Sequence, residues 1–286
     1  MGCLWESASG SVYCLIDEYL KASGIKDDVR AEISNAEVLL IGYMAVNDFN
    51  GNYFKAHQYV KMMHLVKEID YTRFLRRLVK INNVLSTLFL FLGSLFQRLN
   101  GAKIYSVDSF PVELCQITRQ SRVRLWSDPS LKGYNASKGR FFYGLKVHMV
   151  VTTDKEPVMV HISEGSIHDV TAGYQFMHHL PKESITIGDK GYVSSKLEAF
   201  LKRFDIVLSP IGRNNMQQEN KEEYFTKRRI RKGVETAFSM ITAKFGKVIK
   251  ATTIGGFLTK LRLFITAYAI NCFLKLSDDK KALLFN

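Results

Sequence analysis

Cysteine is scarce in this sequence, and Cys3, Cys14, Cys115 and Cys272 lie far apart. None has the paired spacing of a zinc site or a disulfide framework, which predicts a reducing compartment, the cytosol. A charged leader with an apolar segment behind it is also lacking. The chain begins MGCLWESASGS, so no signal peptide is expected, and the MGC start reads as coincidence rather than lipidation. The most apolar stretch, Leu85 to Phe96, is shorter than the ~20 residues that cross a bilayer. It predicts a buried helix and no membrane partner. Repeats and low-complexity tracts are absent. Acidic residues fall short of basic ones, 27 against 40, for a formal net charge of +13. That imbalance says nothing about fold, but it favours a polyanionic partner such as nucleic acid over a merely basic surface.

With 47% hydrophobic and 12% aromatic residues in a chain of 286, real cores are available and disorder is excluded. The length suits one large domain or two, and the pattern changes near residue 100. Before it everything reads as helix. Ser34 to Glu37 has the capping-box pattern ahead of an apolar run. A second helix is expected over Tyr53 to Val66, and a third from Asp70 or Thr72 towards Leu99. On that third helix Arg73, Arg76, Arg77 and Lys80 share one narrow arc, opposite Phe74, Leu78, Ile81 and Leu85. Such a stripe is either a solvated face or one offered to phosphates, where it would position DNA rather than read bases.

After residue 100 strands appear. Ile104 to Phe110 is short, β-rich and followed by Pro111. A polar, basic loop from Arg119 to Arg140 includes Lys138 and is too cationic to form a core. Phe141 to Thr152 and Pro157 to Ser163 are expected to pair as a hairpin. A helix from Asp169 to His179 leads to a strand over Ser184 to Ile187 and to GDKGY. A helix capped at Ser194 or Ser195, a strand from Ile206 to Ile211 and the polar stretch GRNNMQQENKEE come next. A long basic helix from about Tyr224 to Phe245 and an amphipathic one near Phe257 to Leu276 finish the chain. This order predicts an α/β fold, a mixed five-stranded sheet flanked by helices and preceded by a helical region.

Three acids stand in unusual places. Asp108 interrupts an apolar strand, Asp189 sits where a buried strand meets a glycine-rich turn, and Glu235 lies in the basic helix. Ligands collect at such strand ends in α/β sheets. Carboxylates gathered there need a compensating cation, and oxygen donors suit Mg²⁺ or Mn²⁺. Two such ions would activate an attacking oxygen and stabilise a leaving one.

The segments VDSFPVELC, SKGRFFYGLKVHMVVTTD, GSIHDV, GDKGY and RKGVETAFSMI resemble bacterial insertion-sequence transposases with an RNase H-like DDE domain, and insertion-sequence family 982 in particular. The similarity runs from about Ser34 to Leu276 and is strongest after Ile104. It implies that Asp108, Asp189 and Glu235 are catalytic and hold two divalent ions, Mg²⁺ or Mn²⁺. It also implies cleavage and strand transfer of double-stranded DNA, transposon ends and target, by a homodimer or larger assembly in a bacterial cytoplasm. Residues 1–100 are expected to bind DNA and 101–286 to form the catalytic domain. Related enzymes carry Tyr, Arg, Glu and Lys along the last catalytic helix. Here Arg231 keeps its spacing, but Arg228 and Thr242 stand at the Tyr and Lys positions.

Expected DNA contacts are Arg231, Arg228, Lys190, Lys146, Lys138 and Arg140, with Arg73, Arg76, Arg77 and Lys80 from the helical region. Arg231 is four residues from Glu235, so a plain helix ion pair competes with a phosphate contact. Lys146 and His148 point away from the apolar face, towards either DNA or solvent. Asp169 is expected as a helix N-cap rather than a metal ligand, and Tyr192 and Phe238 as packing residues. Rival functions are a catalytically silent, transposase-derived DNA-binding protein, an RNase H-like nuclease without strand transfer, and a metal-free glycosidase.

Overall fold

The computed structural model describes residues 8–211, 221–245 and 248–285. Cys3 and most of the polar stretch GRNNMQQENKEE lie outside them. The chain forms two compact units: residues 1–92 with 241–277, and residues 93–240 with 278–286. Unit 1 is helical. It contains α1 (Ala8–Ala22), α2 (Asn35–Asn47), α3 (Tyr53–Met62), α4 (Tyr71–Lys80), the first turns of α5 (Asn82–Leu99) and α9 (Ile254–Leu274). The expected capping box closes the start of α2: Ser34 Oγ accepts the Glu37 N–H and Glu37 accepts the Ser34 N–H. Behind it α2 is apolar all round and buried from Asn35 to Val46, which makes it a core helix.

Three expectations for this part are corrected. The third helix is two helices, α4 and α5, bent by 54°. Asn82 causes the break, because its side-chain amide donates to the Val79 carbonyl at 2.6 Å and competes with the helical ladder. The final helix is not amphipathic; α9 is long and apolar enough to cross a membrane, yet most of it is buried inside the unit. It also belongs with the N-terminal helices, so a single cut near residue 100 does not divide the chain. Within the unit Tyr43 donates to Asn271 at 2.6 Å and Thr266 to the Leu85 carbonyl at 3.2 Å.

Unit 2 holds the sheet: β1 (Ile104–Cys115), β2 (Lys132–Asn135), β3 (Arg140–Thr152), β4 (Pro157–Glu164), β5 (Ser184–Gly188) and β6 (Ile206–Leu208). Around it lie α6 (Asp169–Phe176), α7 (Ser195–Lys202), most of α8 (Lys221–Phe245) and a further short helix, α10 (Asp278–Phe285). β1 pairs antiparallel with β3 and parallel with β5, β3 pairs antiparallel with β4, and β5 pairs parallel with β6. The resulting order β4-β3-β1-β5-β6 is the mixed five-stranded sheet expected of an RNase H-like domain.

The sixth strand, β2, was read as loop; it pairs with the start of β3 from Lys132↔Tyr143 to Asn135↔Arg140. β1 also runs through Pro111 instead of ending there. Beyond Val107 it has no β5 partner, so Pro111 stands where one side of the strand is unpaired and a missing N–H is tolerated.

Candidate active site

Asp108 and Asp189 are brought to one place by the parallel pairing of β1 and β5. Val107 is in register with Gly188, and the next residue on each strand is the carboxylate. Neighbouring strands lie about 4.8 Å apart, so the two acids come side by side, Asp108 within β1 and Asp189 just past the end of β5. Asp108 is half-buried and accepts the Ser109 N–H at 2.7 Å. Burial pushes its carboxyl pKa up to about 7, with the charges of Asp189 and Asp169 adding to the rise and Ser109 and Arg231 opposing it.

The third acid comes from α8. Val234, Ala237 and Phe238 are buried, and Phe238 packs on Phe110 of β1 with ring centroids 4.6 Å apart. That anchoring turns Arg231 and Glu235 towards the strand ends. The Arg231 guanidinium bridges two carboxylates, with Nη1 on Asp189 and Nη2 on Glu235. The helix ion pair considered from spacing is therefore present, and it extends across the fold to a residue 42 positions away.

A second polar group lies beside these acids. Asp169 does not cap α6; His168 holds the cap position without a side-chain bond, and Asp169 is the first helical residue. Its Oδ1 accepts Ser109 Oγ–H at 3.0 Å and Lys146 Nζ at 3.2 Å. Lys146 also donates to the Ile167 carbonyl at 2.9 Å, and its side chain is only 13% exposed. His148 is fully buried, with Nδ1 3.1 Å from the Tyr192 hydroxyl and Nε2 3.0 Å from Ser163 Oγ. Burial, helped by the positive charges of Lys146 and His161, lowers its pKa to about 3, so the ring is neutral. Sequence reasoning put Lys146 and His148 on the correct face of β3 but left that face open. It is covered, and neither side chain is offered to DNA or solvent.

Residues 100–272 match the family described as the transposase DDE domain. That span is more than half of the chain. The chain belongs to the transposase DDE domain family. No curated protein matches. Among solved structures it is similar to a piggyBac transposase in a synaptic complex with hairpin DNA. The identity there is 11% and the TM-score 0.44, over 96% of this chain and 76% of that one.

For a DDE domain the question is whether these residues suit divalent ions. Asp108 and Asp189 do. Both offer hard oxygen donors at one strand edge, and Asp108 receives one hydrogen bond from its own neighbour while facing a second carboxylate. Mg²⁺ binds through one or two carboxylates and keeps several waters. Glu235 is held on Arg231, and among the described residues no three His, Cys, Asp or Glu are grouped to hold an ion. The pair thus fits a cation, and Glu235 would join it by leaving the guanidinium.

The other expected DNA contacts divide. Arg73, Arg76 and Lys80 are exposed on α4 and line a cleft of about 720 Å³ within unit 1. Arg77 lines it too, but is committed internally, to the Ile33 carbonyl at 2.5 Å and Asn35 Oδ1 at 2.9 Å. Arg140 pairs with Glu113 at 2.6 Å. Lys138 and Lys190 are exposed, and Arg228 lies over the Tyr224 ring at 5.9 Å. Tyr192 and Phe238 pack inside the domain as expected. The sequence reading took Asp169 for a helix cap and gave no sign of its bonds to Ser109 and Lys146.

Proposed function

We propose that this chain is a DNA transposase of the insertion-sequence kind, of family 982, which cuts DNA strands and joins them to a target. The observation that supports this reading most is Asp108 beside Asp189 where the parallel pairing of β1 and β5 ends, with the Asp108 carboxyl pushed up to about 7. A half-buried carboxylate next to another is costly unless a cation compensates it. Mg²⁺ or Mn²⁺, two ions in all, would make a water or 3′-hydroxyl a better nucleophile there and stabilise the departing oxygen. The chain's own share is position and charge. Asp108, Asp189 and Glu235 would hold the cations, and Arg231, once its carboxylates were otherwise compensated, would present a planar fork to a phosphate.

On the same reading DNA phosphates run along Arg228, Lys190, Lys138 and Arg140. The cleft of unit 1 with Arg73, Arg76 and Lys80 fixes the duplex in register, in keeping with DNA binding by residues 1–100. Two ends must be brought together, so the working form is a dimer or larger. The place of action is the bacterial cytoplasm, at the nucleoid.

The test is cleavage and joining of a labelled end of the natural element with Mg²⁺, with EDTA, and with Asp189→Ala. The expected result is Mg²⁺-dependent nicking and joining, and a variant that binds DNA but does neither. Binding without cutting under any metal would make this a silent DNA-binding protein. Cutting without joining would make it a nuclease. Cutting that survives EDTA or the substitution would mean the site is elsewhere.

A further inference from the structure

Asp169 touches the segments that carry both strand-end carboxylates. Through Oδ1 it holds Ser109, the residue after Asp108, by a 3.0 Å hydrogen bond. Through Oδ2 it lies against the turn after Asp189, where a Cβ on Gly191 would come within 2.5 Å of that oxygen. Glycine at position 191 is what lets the carboxylate approach so closely. Its ion pair to Lys146, at 3.2 Å, is tied to β3, and the second Lys146 bond fixes Ile167 in the loop leading into α6. Lys146 and His148 stand in register with Pro111 and Ser109 of β1. Asp169 therefore joins three segments: β1 beyond Asp108, the turn beyond Asp189, and β3.

We propose that Asp169 is a positioning residue, a brace anchored by Lys146 that sets the separation of Asp108 and Asp189 and so the affinity for divalent ions. The inference rests on the metal-site reading above. Two carboxylates facing each other repel, and the β1–β5 pairing stops at Val107↔Gly188, the residue before each of them. Asp169 adds a tie from outside both strands, a hydrogen bond to Ser109 and close packing of Oδ2 on Gly191. Partners that orient metal ligands from behind change metal affinity by about 10–100-fold when removed, although they never touch the ion.

The test is Mn²⁺ binding to the full-length protein without DNA, followed by the EPR signal of free Mn²⁺, with cleavage measured against Mn²⁺ concentration. Asp169→Asn, Ser109→Ala and Gly191→Ala are each expected to weaken Mn²⁺ binding by about 10–100-fold, and raised Mn²⁺ is expected to restore their cutting. Circular dichroism checks folding, and Ser109→Ala, which spares the buried ion pair, carries the test if Asp169→Asn does not fold. Unchanged Mn²⁺ affinity in Ser109→Ala and Gly191→Ala overturns the brace. Weakening in Asp169→Asn alone, with Ser109→Ala as wild type or tighter, also overturns it, because Asp169 would then be a ligand itself. Asp108→Asn and Asp189→Asn report on the reading beneath. If either binds Mn²⁺ as wild type does, the metal site is misplaced, and the brace falls with it for that separate reason.

Discussion

His148 makes the acid stability of unit 2 calculable. The ring is fully buried between Tyr192 and Ser163, and its pKa is lowered to about 3. In the unfolded chain it titrates near the ordinary value of about 6.5. Between those two values the unfolded chain binds the extra proton, so stability that is present above pH 6.5 drains away as pH falls towards 3. At about 1.36 kcal/mol per unit, a fall from pH 6.5 to 5 removes about 2 kcal/mol.

Asp108 acts in the opposite sense. Its carboxyl is raised to about 7, so its contribution is full below the ordinary carboxylate pKa and is lost as pH rises through 7. The wild-type curve is the difference of the two, and His148→Gln isolates the histidine, since the amide can hydrogen-bond both partners without titrating. Urea unfolding followed by Trp126 fluorescence in a Trp5→Phe background, at steps from pH 7 to 5, supplies the comparison. Wild type is expected to lose about 2 kcal/mol relative to His148→Gln over that range. Parallel curves would mean that the folded ring takes up its proton freely, and the account of a dry, neutral histidine behind the site would be wrong.

Two further outcomes follow from named contacts. Arg231→Gln leaves Asp189 and Glu235 without their shared cation, so without metal it is expected to melt below wild type, and to gain more melting temperature than wild type when Mn²⁺ is added. Equal gains in thermal shift would show that the guanidinium and the metal do not share those carboxylates. Two glycines should respond with opposite sign in urea midpoints. A Cβ on Gly93 would collide with the Val158 carbonyl, whereas one on Gly233 meets Lys155 Cγ at an ordinary 3.6 Å. Gly93→Ala should cost about 1–3 kcal/mol by overpacking, while Gly233→Ala in the middle of α8 should stabilise by about 0.5–1 kcal/mol.

What was legible in the sequence is what local chemistry controls. The capping box of α2, the β3–β4 hairpin and a helix start near Asp70 or Thr72 all depend on residues within a few positions of each other, and all are present. That β1 pairs parallel with β5 and sets Asp108 beside Asp189 was not legible, because three strands and an α-helix separate the two. What was not legible depends on distant partners. The break after Ile81 follows from the Asn82 amide turning back to Val79, with Arg262, 180 residues away, on its other end. That β1 continues past Pro111 depends on which neighbour strand has already ended. Lys146 on an alternating strand gives its face but not what covers it, and only the docking of α6 shows that Asp169 does.

Burial is the first cause of the raised Asp108 carboxyl, and the charges of Asp189 and Asp169 add to the rise. Asp108, Asp169, Asp189 and Glu235 face two cations, Lys146 and Arg231. Fully ionised, four negative charges against two positive leave a net charge of −2. Lys146 is spent on Asp169, and Arg231 is divided between Asp189 and Glu235, which leaves Asp108 with the Ser109 N–H alone. Burial keeps the Asp108 proton to about pH 7 and so lessens the deficit. A monovalent side chain in that position would cancel half of the deficit and leave Arg231 locked. A divalent ion held by Asp108 and Asp189 would cancel all of it and would compete with Arg231 for its carboxylates. On the proposed metal-site reading, cation binding and the freeing of Arg231 for a phosphate would be electrostatically coupled. An isolated Arg–Glu pair on the surface of a helix would have no such link to Asp108.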